Sequence, residues 1–141
     1  MKTENKKSKA PEPYLIFEDE LSMVNEAAAG IHATKFFDLT SMFHLKKEQL
    51  ADLFHISLKS LMRYKEAKQK LNPAQSEQVL KLMALHNKGI IVFGDDESFH
   101  RWLEKPSYGL GNVKPVKMMN TTGGIDLIIA ELKRIEWGDL A

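Results

Sequence analysis

The chain has 141 residues, of which 43% are hydrophobic and 28% charged, with a formal net charge of +1 and no cysteine. That length holds one compact domain or two very small ones, and the composition is that of a folding chain rather than a disordered one. Lack of cysteine excludes disulfides and thiolate metal sites and fits a reducing compartment; the small net charge leaves only a local basic patch as an argument for nucleic-acid binding.

In chain order, residues 1–13 combine four lysines with Pro11 and Pro13 and predict a flexible basic arm, since they hold too little apolar area to offset the entropy of ordering. The apolar run over 14–17 is too short for a signal-peptide core or a membrane span, so a cytoplasmic protein with no membrane partner is expected. From Glu18, helical spacing of Leu21, Val24, Ala28 and Ile31, then of Phe36 or Phe37, Leu39 and Phe43, predicts two short helices interrupted near Gly30. A helix over roughly 46–54, a break at His55 and Ile56, and a further helix capped by Ser57 follow.

The run IIVF at 90–93 has strand propensity, but Val79, Leu82, Met83, His86, Ile90 and Phe93 step by three and four, which predicts one helix opened by Pro73, weakened at Gly89 and ended by Gly94. Asp95, Asp96 and Glu97 suit the positive end of a new helix that reaches Trp102 and Leu103 and stops before Pro106. Pro115 opens a single turn. Thr121 or Thr122 caps a last amphipathic helix with Ile125, Ile128, Ile129, Leu132 and Ile135 on one face. Nothing alternates with period two for long, so the predicted fold class is all-α, without internal repeats.

Little in this pattern carries chemistry. The histidines at 32, 44, 55, 86 and 100 form no HExxH and no i, i+4 pair, so surface or packing roles are expected and no metal site. Gly109-Leu110-Gly111 lacks the third glycine and the preceding strand of a dinucleotide fingerprint, Gly123-Gly124 reads as a tight turn, and no nucleophile pairs with a base. No enzyme and no cofactor are expected. The stronger signal surrounds His55: Ala51 can let two helices cross closely, and Leu50, Phe54, Ile56, Leu58, Leu61 and Tyr64 fall where a helix-turn-helix needs apolar contacts. Its outward face carries Ser57, Lys59, Ser60, Arg63 and Lys68, hydroxyl and cationic groups suited to phosphates and base edges, while His55 stands where many such turns use glycine.

The runs SLKSLMRYKEAKQKLNPAQSEQVLKLM and VFGDDESFHRWLEKPSYGLGNVKPVKMMNTTGGIDLIIAELKRIEWG resemble the Xre/MbcA/ParS family of antitoxins, whose partners carry the RES domain. The likeness is close over about 57–138 and rests on an ordered series that includes Ser60, Arg63, Pro73, Gly94-Asp95, Trp102-Leu103, Pro106, Leu110-Gly111, Pro115, Gly124, Arg134-Ile135 and Gly138. It departs from the family pattern at Phe99, Ser60, Met62 and Tyr64.

The resemblance implies an all-helical protein divided into the arm 1–13, an Xre-like helix-turn-helix half at 14–93 and a toxin-binding half at 94–141. It implies a RES-domain toxin that degrades NAD, an antitoxin that blocks its cleft, and a complex that represses its own operon. Ser57, Lys59, Ser60 and Arg63 become DNA contacts; Trp102, Pro106, Leu110, Gly111 and Pro115 become toxin-binding elements, with Arg134, Glu136, Trp137 and Gly138 near the end. Operator DNA, the toxin and a second copy in a homodimer are the expected partners. Physically, the loop 101–115 is restricted by its prolines and glycines, which lowers the entropy cost of docking it; Trp102 is expected to pack mainly in the core and Trp137 to face a partner. A stand-alone DNA-binding regulator and a scaffold protein are the rival readings, separable by DNA binding and by toxin protection.

Overall fold

The computed structural model describes residues 20–67 and 69–138; the basic arm 1–13, the apolar run 14–17, Lys68 and the last three residues lie outside them. Among the described residues seven α-helices follow one another: α1 (Glu20–Ala29), α2 (Thr34–Phe43), α3 (Lys47–Leu53), α4 (Leu58–Ala67), α5 (Pro73–Phe93), α6 (Asp96–Leu103) and α7 (Thr122–Glu136), with 3₁₀ turns at Tyr108–Leu110 and Pro115–Met118. Apart from two isolated bridges, His32 with Lys70 and Ser107 with Val113, the described residues hold no β-structure, and the fold is all-α as the periodicity predicts.

Helix ends follow from local chemistry. Asn72 Oδ1 accepts from the Gln75 backbone N–H at 2.7 Å while Gln75 Oε1 accepts from that of Asn72 at 3.1 Å, a reciprocal cap in front of Pro73. Gly94, at φ 91°, ends α5 and donates to the Ile90 carbonyl at 2.7 Å. Asp95 caps α6 by accepting from Ser98 N–H at 2.7 Å, and Thr121 caps α7 by accepting from Gly124 N–H at 3.0 Å. Each such cap contributes about 1 kcal/mol. Gly124 has a second role, since a Cβ there would run into the Met118 carbonyl.

α5 is the axis of the molecule, with α1, α2, α6 and α7 packed against it. The stripe expected on α5 is therefore too narrow: Ser76, Gln78, Leu80, Leu85, Asn87 and Gly89 are buried along with Val79, Leu82 and Met83, because neighbours enclose the helix on most sides. Its buried polar groups find partners within the helix and across the fold; Asn87 Nδ2 donates to the Met83 carbonyl at 3.2 Å, and Ser76 Oγ accepts from Ile31 N–H at 3.1 Å. Gly89 produces no break. It lies where the Phe99 ring crosses α5, so a larger residue there would collide with that ring.

α1 corrects a second expectation. Leu21 is 67% exposed and Val24 53%, whereas Ala27 is buried, so the two large apolar residues expected on the inner face of this helix turn outward. The residues of α2 behave as predicted, with Phe36, Leu39 and Phe43 in the core. Phe36 makes edge contacts with Phe54 and Tyr64 at 4.5 and 5.4 Å between centroids, which seats α3 and α4 on α2.

Candidate DNA-reading and partner-binding surfaces

The α3–α4 pair has the geometry of a helix-turn-helix. Leu50, Ala51, Phe54 and Leu61 are buried and Ile56 and Tyr64 pack against them, while Leu58, placed among the apolar contacts by its sequence position, is exposed at the start of α4. His55 adopts φ 58°, the left-handed conformation that glycine most readily supplies. A tertiary bond accompanies it: His55 Nε2 lies 2.8 Å from the Asn120 carbonyl, an acceptor only, so that nitrogen carries the proton. Gln78 Nε2 donates to the Leu53 carbonyl at 2.8 Å and to that of Met119 at 3.3 Å. The turn is thus tied to the segment preceding α7. At the start of α3, Gln49 Oε1 accepts from Lys46 N–H at 2.8 Å, supplying the cap that a lysine side chain cannot.

On α4, Ser57 Oγ accepts from Ser60 N–H at 3.0 Å, and Arg63 Nη2 donates to Ser60 Oγ at 3.1 Å. Ser57, Lys59 and Arg63 are exposed and Ser60 half-buried. Lys59 and Arg63 share an open groove with Leu58, Met62 and Glu66. The structure therefore brings four of the five sequence-predicted DNA contacts onto one helix face; the fifth, Lys68, lies outside the described residues.

The loop after α6 closes on itself. Ser107 N–H donates to Val113 O, and Asn112 and Leu110 N–H both donate to Ser107 O, at 3.1, 2.8 and 3.0 Å, with Gly111 and Asn112 at positive φ. Pro106 is exposed at its entrance, Gly111 is exposed within it, Leu110 is half-buried against the core, and Pro115 is buried where the next turn begins. Trp102 is half-buried, 5.5 Å from Phe93 and 6.4 Å from Phe99 between ring centroids, so it belongs to an aromatic cluster with one side open to solvent.

At the end of α7 Trp137 stands 77% exposed, followed by Gly138 at φ 76°. Arg134 pairs with Glu131 and Glu136 with Lys88, so both of these predicted contact residues are also internal fasteners. Two residues escaped the sequence reading, Tyr108, 87% exposed at the loop tip, and Glu131, buried beneath Gly109, a glycine the sequence offers only as part of a lone GxG. A signal for Glu131 existed, since it lies three residues after Ile128 and one before Leu132 on the buried face, and three before an arginine.

Two family models match the chain. Residues 19–84 match the antitoxin Xre-like helix-turn-helix domain, and residues 88–138 match the antitoxin Xre/MbcA/ParS C-terminal toxin-binding domain. The chain belongs to the Xre/MbcA/ParS antitoxin family. The two family segments meet inside α5, which explains how one unbroken helix can serve as core for both.

A relative described as antitoxin Xre, from Photorhabdus laumondii subsp. laumondii, is 27% identical over 84 residues; the match spans 59% of this chain and 57% of that protein, little more than half its length. A chain in the crystal structure of the M. tuberculosis MbcT-MbcA toxin-antitoxin complex is 17% identical with a TM-score of 0.55, covering 75% of this chain and 94% of that one, which shows a shared fold.

The junction between the two family segments carries a polar clasp that sequence spacing concealed. Asp96, in the first turn of α6, places Oδ2 at 2.6 Å from His44 Nε2 and Oδ1 at 3.3 Å from His86 Nε2, and the His100 ring lies 4.3 Å from that of His44. Among the described residues no group of three or more histidine or carboxylate side chains is arranged to hold a metal ion. Burial pushes the His86 imidazole below its ordinary value, against the opposing pull of Asp96. For Asp96, burial acts upward, but the hydrogen bonds from His44 and His86 hold the carboxyl below the usual carboxylate range.

In both cases the native state binds fewer protons than the unfolded chain. The stability contributed by His86 is full above about pH 6.5, and that of Asp96 above about pH 4; each is lost as pH falls through the lowered folded value. The thermal midpoint is expected to fall on acidification from about pH 7 to about pH 5, and His86→Gln to flatten that slope. An unchanged slope in the variant would remove His86 as its source.

No helix among the described residues is long and apolar enough to cross a membrane.

Proposed function

We propose that this chain is the antitoxin of a type II toxin-antitoxin pair: a non-catalytic protein that binds a RES-domain, NAD-degrading toxin through its C-terminal half, from Gly94 onward, and blocks the toxin's cleft sterically. Its helix-turn-helix half binds operator DNA as a homodimer in the cytoplasm and represses its own operon. The observation that carries the reading is the placement of Tyr108 and Trp137 in solvent, within the segment that matches the toxin-binding domain. Large aromatics held outward on a closed loop and at a helix end cost a monomer exposed apolar area and supply a partner with anchors that need little ordering.

The string Ser57, Ser60, Arg63 on α4 supports the DNA-binding part, because an arginine held by a hydroxyl can present its fork to a phosphate or to guanine. The same string keeps a second reading in view, a stand-alone regulator.

Inducing the neighbouring gene with and without this chain separates the two, with cellular NAD and growth as readouts. NAD is expected to collapse when the neighbour is expressed alone and to hold when both are expressed. A harmless neighbour, or NAD loss unaffected by this chain, would overturn the antitoxin reading and favour the regulator.

A further inference from the structure

Glu131 is a carboxylate left 1% exposed on α7. A charge in that position is costly unless paired, and an apolar residue of similar volume would satisfy the core at least as well, so its presence calls for a geometric reason. Two neighbours supply one. Arg134, one turn further on, donates to Glu131 Oε1 and its Nη2 also lies 3.5 Å from the Gly109 carbonyl oxygen. Gly109 itself rests directly on the Glu131 carboxylate, which a Cβ there would force to shift. The carboxylate therefore holds the guanidinium that bonds the loop backbone at Gly109, beside Leu110, which packs against the core. The residue next to that point is Tyr108, whose exposure the fold does not require.

We infer that Glu131, acting with Arg134 on Gly109, is a positioning residue that fixes the Tyr108 loop in the conformation that docks the toxin. The inference rests on the reading of this half as toxin-binding and adds to it a docking anchor, Tyr108, and the buried group that aims it. The loop's own hydrogen bonds, Asn112 and Leu110 N–H to Ser107 O and Gly111 N–H to Tyr108 O, shape it internally; the bond from Arg134, a side chain that Glu131 holds in place, ties it to α7. Fixing the loop before contact removes an ordering cost from association. Arg134, half of whose side chain is exposed, thereby acts first as a clamp within the chain.

The test measures inhibition of the NAD-consuming activity of the protein encoded by the neighbouring gene, titrated with the full-length chain and with Tyr108→Ala, Glu131→Gln, Gly109→Ala and the two double variants containing Tyr108→Ala. Glu131→Gln and Gly109→Ala are each expected to weaken inhibition about tenfold. In the Tyr108→Ala background each should add less than about twofold, because a residue that acts through Tyr108 has nothing left to position. A general loss of folded protein would instead lower inhibition in both backgrounds alike. Should Glu131→Gln fail to fold, Gly109→Ala completes the same cycle from the loop side.

Unchanged inhibition, or losses that simply add, overturn the inference. If Trp137→Ala weakens inhibition and the clamp variants do not, the inference alone is wrong; if the unmodified chain inhibits nothing, the toxin reading falls and takes the inference with it.

Discussion

Trp137→Ala is expected to weaken binding of the neighbouring gene's product by about 2–4 kcal/mol, roughly 30-fold or more, the range of a buried aromatic anchor in an interface. The residue is 77% exposed and follows the last turn of α7, so removal of its ring should change folding stability by no more than about 0.5 kcal/mol. Truncation after Ile135 should lose at least as much inhibition, since it also deletes Glu136 and its pairing with Lys88.

Arg63→Ala provides the converse. Its guanidinium donates to Ser60 Oγ on the exposed face of α4, far in sequence from Trp137, and its loss should cost operator binding about 1–3 kcal/mol while inhibition stays intact. Gel shifts at fixed salt and NAD assays on both variants give a two-by-two pattern. Full inhibition by the variant truncated after Ile135 would remove the tail from the interface, and an unshifted operator affinity in Arg63→Ala would remove that residue from the DNA contact.

Gly89→Ala is the second large effect, and its sign distinguishes helix propensity from packing. In an exposed helix the change would stabilise by about 1 kcal/mol. Here a new Cβ would enter the space of the Phe99 ring, itself stacked beside both Phe93 and Trp102 and in edge contact with Phe43. Overpacking of this kind costs about 1–3 kcal/mol, so denaturant midpoints should fall despite the better helix former. Adding Phe99→Leu to Gly89→Ala should recover part of the loss by making room. A midpoint that rises in the single variant would show that the α5–α6 contact yields easily. The pair also accounts for a departure noted in the sequence: a large ring at position 99 fits because position 89 has no side chain.

How much was legible from the chain depends on the range of the interaction that decides it. Ser57, Asn72 with Gln75, Gly94, Asp95 and Thr121 act on backbone groups three or four residues away, and each helix start or stop they mark is where its own chemistry puts it. The choice of helix over strand for IIVF was also local, because it depended on the three-and-four spacing carried in from Val79. The ordered motif from Ser60 to Gly138 sufficed for the family, since short-range elements in a fixed order are recorded in the sequence directly.

Burial was less legible. Amphipathic periodicity identifies one face of a helix against one neighbour, and α5 has neighbours on most sides, while α1 turns Leu21 and Val24 to solvent.

Residues far apart in sequence met only through packing. His44, His86 and Asp96 converge because the end of α2 and the start of α6 both pack against α5, His55 reaches Asn120 across 65 positions, and Gly109 settles on Glu131 from a loop 22 residues upstream. Each of those meetings is fixed by where whole helices come to rest, a balance of buried area and excluded volume summed over the core. Local sequence sets the helices and their ends through bonds a few residues long; only the packed chain sets which side chains face one another across them.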